Sequence, residues 1–193
     1  MEQQLSDVYI NLKSIVDDER KEDFGNLMTF LEQKTAYLSS PASSKYHLSV
    51  PGGLLFHSCS VTQQLLKLKK ISAPEISNAS CVIVGLLHDA GKAGVEGQEQ
   101  YIVKEPTDKQ KQYGYTATPP YLYNDQIVFM EHETRSLYLI QKHLKLTEQE
   151  WCAIAYHNEP WNGNKSSFKK NKLLTLLQQA DYWSALYLED GVK

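Results

Sequence analysis

The chain has 193 residues, a formal charge of −3 at neutral pH and a hydrophobic fraction of 41%, which is length enough to bury a core of its own. So mild an acidity offers no global field for a long polyanion or an anionic membrane surface, and it leaves small partners as the expected ones. The cysteines, Cys59, Cys81 and Cys152, are odd in number and far apart, which excludes a disulfide framework and a zinc ribbon and predicts reduced, buried thiols in a cytoplasmic protein.

The opening MEQQLSDVYI carries no basic region followed by an apolar stretch, and the longest purely apolar run, 81–87, is too short to span a bilayer. No export and no membrane are therefore expected. From there the periodicity is helical almost throughout. Leu5, Val8, Tyr9, Leu12, Ile15 and Val16 keep the three-and-four spacing of an amphipathic helix, and Phe24, Leu27, Met28 and Leu31 repeat it. Residues 39–44, with Pro41, form a loop, and Pro51-Gly52-Gly53 precedes a helix running from about Leu54 to Lys70. After Pro74, Ser77 or Asn78 caps the strongly apolar helix 79–89, which Gly91 and Gly94 end.

Between there and about Gln126 lie Pro106, Gly114, Pro119, Pro120 and five tyrosines, Tyr101, Tyr113, Tyr115, Tyr121 and Tyr123. A loop this long and this aromatic predicts a lid or a substrate wall, with Tyr113, Tyr115, Tyr121 and Tyr123 either stacking on a nucleobase or filling a small core of the loop's own. Helix resumes over 131–143. Thr147 and Glu150 make a capping box that opens a helix to about His157, Pro160, Gly163 and Asn164 break it, and a last helix covers 168–189.

Ionisable residues occupy inward faces of these helices. Asp181 shares the stripe of Leu173, Leu174, Leu177, Ala180, Ser184 and Leu188, and His57 shares that of Leu54, Val61, Leu65 and Leu68. His88 and Asp89 close the most apolar helix, His132 lies on the face of Ser136, Leu139 and Ile140, and His157 ends the capping-box helix. Singly each has an ordinary explanation, such as a hydrogen-bonded core histidine or a salt-bridged acid. Together they are costly to bury unless paired, and they form a nitrogen and oxygen donor set suited to a divalent cation.

His57, then His88-Asp89, then Asp181, on successive helices, resembles the HD superfamily of metal-dependent phosphohydrolases. The resemblance spans 41–189 and includes Pro41-Ala42, Tyr46-His47, Gly52-Gly53-Leu54-Leu55 and Gly85-Leu86-Leu87-His88-Asp89-Ala90-Gly91-Lys92. The strings are most similar to stand-alone bacterial and phage members and to the HD domain of certain 3′-to-5′ exoribonucleases. The resemblance implies an all-α bundle in a single domain, 1–193, with a helical cover over 1–40, an HD core over 41–190 and a long loop between the dyad and the next helix.

The resemblance further implies a metal held by His57, His88, Asp89 and Asp181. Members with two metals add histidines where His132 and His157 stand, and Asp89 would then bridge. Glu131-His132 and Tyr156-His157 replace the richer histidine strings of that group, so one or two ions remain open, as does the choice among Mn, Fe, Co, Ni and Zn. Such an ion activates water for attack on a phosphoester. Lys92 and Arg135 are the candidates for holding phosphate oxygens, as a point charge and a bidentate fork or as surface salt bridges, and Asp89 and Lys92 the candidates for catalysis. Glu131 or Glu133 is a candidate to orient His132 or to act as general acid, or else is a solvated first-turn acid. Lys165, Lys169, Lys170 and Lys172 make a local basic patch that steers phosphates or is merely solvated. The expected function is hydrolysis of a phosphoester in a nucleotide or short oligonucleotide, with a mononucleotide favoured. A single-strand 3′-to-5′ exonuclease, a non-catalytic nucleotide-binding protein and a two-iron oxygenase are the alternatives.

Overall fold

The computed structural model describes residues 2–159 and 171–189, and the expected break at Pro160, Gly163 and Asn164, with Lys165, Lys169 and Lys170, lies outside them. Helices α1 (Glu2–Ser14) and α2 (Lys21–Lys34) turn Tyr9, Leu12, Phe24, Leu27, Met28 and Leu31 inward. These side chains join one continuous hydrophobic cluster with Leu54, Val61 and Leu65 of α3 (Gly53–Ser72) and Val82, Ile83, Val84 and Leu86 of α4 (Asn78–Leu87). Among the described residues the protein is all-α apart from one small sheet, and the N-terminal helices help close its core.

α4 is the central helix. Ser77 caps it, its hydroxyl accepting the Ser80 N–H, and from Ala79 to Leu87 almost every side chain is buried. A Cβ on Gly85 would run into Thr62, so glycine here lets α3 and α4 pack closely. His88 caps the C-terminus, and a 3-10 turn, Ala90–Ala93, follows Asp89.

The stretch after this turn is not wholly irregular. β1 (Tyr101–Val103) pairs antiparallel with β2 (Tyr121–Tyr123), Ile102 opposite Leu122, and a short helix α5 (Asp108–Gln112) with a Thr107/Gln110 capping box sits between them. α6 (His132–Ile140) then docks on the dyad turn. Ser136 Oγ accepts the Gly91 N–H at 2.8 Å and donates to the His88 carbonyl at 2.8 Å, and a Cβ on Gly91 would collide with the backbone of His132. α7 (Glu148–Tyr156) opens with the Thr147/Glu150 capping box, and α8 (Lys172–Trp183) packs against α3 and α7. A π turn, Ser184–Leu188, extends α8. Among the described residues no helix is long and apolar enough to cross a membrane.

Candidate metal centre

α3, α6, α7 and α8 each deliver one polar side chain, and the α4 terminus two, to the same point. Asp89, 2% exposed, is at its middle. Its Oδ2 lies 3.5 Å from His57 Nε2 and 3.6 Å from His88 Nε2, and its Oδ1 lies 3.2 Å from His132 Nε2 and 3.5 Å from His157 Nε2. Asp181 Oδ1 stands 3.1 Å from His57 Nε2, and the Nε2 atoms of His57 and His88 are 3.4 Å apart. The donors of His57, His88 and Asp89 lie within 4.8 Å of one another, as do those of Asp89, His132 and His157. All six sequence-predicted donors thus meet in one cluster.

The imidazoles are oriented from behind. A carbonyl can only accept, so the 2.9 Å contacts of His88 Nδ1 with Gly85 O and of His157 Nδ1 with Ile154 O require a proton on each Nδ1. Each Nε2 is thereby left as the ligand atom. His132 Nδ1 faces Glu133 Oε2 at 3.4 Å. His57 Nδ1 donates to Glu189 Oε1 at 2.9 Å, an acid the helical pattern did not mark.

The electrostatics agree with a cation's place. Burial pushes His88 down to about 3, so its Nε2 keeps a lone pair. Burial opposes charge on His57 as well, but Asp181 and Glu189 flank it and hold its pKa up to about 10. Burial also works against the Asp89 carboxylate, yet Lys92 and His88 outweigh it and keep the group well below its ordinary range. Even so, Asp89 Oδ1 is buried without a hydrogen-bond partner among the described residues. An orphaned carboxylate oxygen ringed by imidazole nitrogens fits a divalent ion.

The cluster forms the floor of a cleft of about 1290 Å³. Lys92 lines it, its Nζ 2.5 Å from Asp89 Oδ2. Tyr101, Tyr121 and Tyr123 form part of the wall, whereas Tyr113 and Tyr115 stack on each other outside it, both exposed. Arg135 is not brought to the cleft. Its face of α6 is the buried one, and its guanidinium donates to Val128 O at 2.7 Å, bracing the segment before α6 instead of awaiting phosphate. Lys172 pairs with Glu75 at 2.5 Å, away from the cleft. His47, which no helical face could have flagged, does line it, beside Tyr46.

The family model described as HD domain matches residues 54–186, which contain His57, His88, Asp89, His132, His157 and Asp181. No curated protein and no solved structure matches the chain.

Proposed function

The chain belongs to the HD-domain family, whose members are in general metal-dependent hydrolases that bind divalent ions, and from that premise we propose that it hydrolyses a phosphoester of a nucleotide or short oligonucleotide. The observation that carries this reading is the division of labour on Asp89: Oδ2 faces His57, His88 and, through His57, Asp181, while Oδ1 faces His132 and His157. His57, His88, Asp89 and Asp181 would hold one divalent ion, and Asp89, His132 and His157 a second. When bound, such ions supply Lewis-acid polarisation of a phosphoryl oxygen and acidification of water.

The chain's own residues do the rest. Lys92, on the cleft lining beside Asp89, presents an ammonium to the phosphoryl group; burial opposes its charge, and Asp89 keeps it protonated. Tyr123, exposed on the wall beside the buried Tyr101, offers its ring to a base or sugar. The size of the cleft favours a second reading as well. At about 1290 Å³ it exceeds the roughly 300–1,000 Å³ usual for small-molecule sites, room that suits a single-stranded end.

Metal content of protein purified without chelator, followed by phosphate release from mononucleotides and short oligonucleotides, tests the proposal. Stoichiometric metal with turnover that chelator abolishes is expected; protein that takes up divalent metal yet hydrolyses nothing across the series contradicts hydrolysis. A cation at His57 Nε2 must also displace the proton that faces Asp181 there. With that pKa near 10, metal uptake at neutral pH releases about one proton from this residue, and affinity weakens as pH falls. Calorimetry of Zn²⁺ binding in buffers of different ionisation enthalpy reads the proton count, and uptake without release contradicts the assignment of His57.

A further inference from the structure

His57 differs from the other buried imidazoles in where it sits. His88 and His157 are C-terminal caps, and each donates its Nδ1–H to the carbonyl three residues back in its own helix. Carbonyls there are free because a helix leaves its last four without an intrahelical donor. His57 lies in the first turns of α3, where the preceding carbonyls are taken by the helix itself. Its orienting acceptor has to come from elsewhere.

That acceptor is Glu189. In an uninterrupted α-helix at about 100° per residue, the position seven beyond Asp181 returns to the same face, and that position is Leu188. The π turn holds one more residue than an α turn. The Glu189 N–H donates to Ser184 O at 3.1 Å, Leu188 is turned out to 41% exposure, and Glu189 comes in at 2%. The carboxylate reaches His57 Nδ1 at 2.9 Å, and its other oxygen, buried without a hydrogen-bond partner, faces His47 Nε2 at 3.7 Å. Among the described residues no lysine or arginine pairs with it. A carboxylate buried against two imidazoles costs desolvation that a leucine would not, which points to a task beyond packing.

We propose that Glu189 is a positioning residue, whose carboxylate accepts the His57 Nδ1–H and thereby fixes the imidazole with Nε2 turned to the cation. The inference rests on the reading of His57 as a metal ligand. The full chain carrying Glu189→Ala or Glu189→Gln tests it through Zn²⁺ affinity, measured by chelator competition, and through ¹⁵N NMR of the His57 ring in the Zn²⁺-loaded protein. Wild type shows a hydrogen-bonded Nδ1–H. Glu189→Ala weakens Zn²⁺ binding about 10–100-fold and loses that hydrogen bond, while Glu189→Gln, whose amide oxygen still accepts from Nδ1–H, recovers most of both.

A lower melting temperature with Zn²⁺ affinity within about twofold of wild type overturns the proposal, because a packing role alone moves only the first. Should Glu189→Ala not fold, the wild-type spectrum decides, and a loaded His57 with its proton on Nε2 overturns the proposal. If wild type binds no divalent ion, the metal reading falls and this one with it. If wild type binds and both variants bind equally well, only the role of Glu189 falls.

Discussion

Asp89→Ala removes both metal and turnover, while His143→Ala leaves both unchanged. Asp89 is the one side chain that touches every other member of the cluster but Asp181: four imidazole nitrogens within 3.6 Å and the Lys92 ammonium at 2.5 Å. In the proposed centre its removal deletes the anionic ligand shared by both positions and leaves the Lys92 charge unpaired beside them, repelling a divalent ion. Turnover therefore falls on the order of a thousandfold or more, the scale of losing a central electrostatic group. Asp89→Asn keeps the shape and separates chemistry from folding; it also loses the carboxylate charge and is expected to bind metal weakly. His143 is the matched control, a histidine whose ring packs tilted against Phe30 at 4.7 Å, outside the cleft lining. Elemental analysis together with phosphate release measures both effects. An Asp89→Ala protein that keeps stoichiometric metal contradicts the assignment.

Glu150→Gln has the largest expected effect on the fold. The Glu150 carboxylate is fully buried, takes both oxygens to Arg20 Nη1 at 2.7 and 2.8 Å, and accepts the Thr147 N–H at 2.8 Å in its own capping box. One side chain thus caps α7 and ties it to the turn between α1 and α2. Breaking a buried pair by removing one partner strands the other charge; with Arg20 still 14% exposed, a loss of about 3 kcal/mol is expected, the low end for such pairs. For a chain of this size that is about 6–12 °C in melting temperature. Burial raises the Glu150 pKa, but Arg20 and the Thr147 N–H lower it further, so the net shift is downward. A carboxyl depressed in the folded state contributes stability that is complete above its unfolded pKa of about 4.3 and is lost as pH falls through its folded value. The gap between wild type and Glu150→Gln is therefore widest near neutrality and closes below about pH 4. Urea unfolding across that range checks it, and a constant gap would contradict the pairing.

What the sequence carried, and what it hid, divides along the physics of helical faces. Periodicity places an ionisable residue inside or outside, so His57, His132 and Asp181 stood out where leucines belong, and the dyad stood out at the end of the most apolar helix. It does not say what an inward side chain meets. Arg135 is inward, as its face requires, yet it finds the Val128 carbonyl rather than the cleft. The Thr147/Glu150 capping box was legible because it is local, while the Arg20 partner of Glu150, 130 residues away, was not. His47 sits in a loop with no face to betray it. Glu189 was hidden for a sharper reason: the π turn shifts the register by one residue, so the pattern that made Leu188 inward chose its neighbour's place. The strands at Tyr101–Val103 and Tyr121–Tyr123 are three residues each, too short for alternation to show.

Crystals of the full chain grown with Mn²⁺ and measured at the manganese absorption edge test the central claim most directly. An anomalous peak bonded to His57 Nε2, His88 Nε2, an Asp89 oxygen and an Asp181 oxygen is the predicted result; strong anomalous density elsewhere, with none inside that ring of donors, would contradict it.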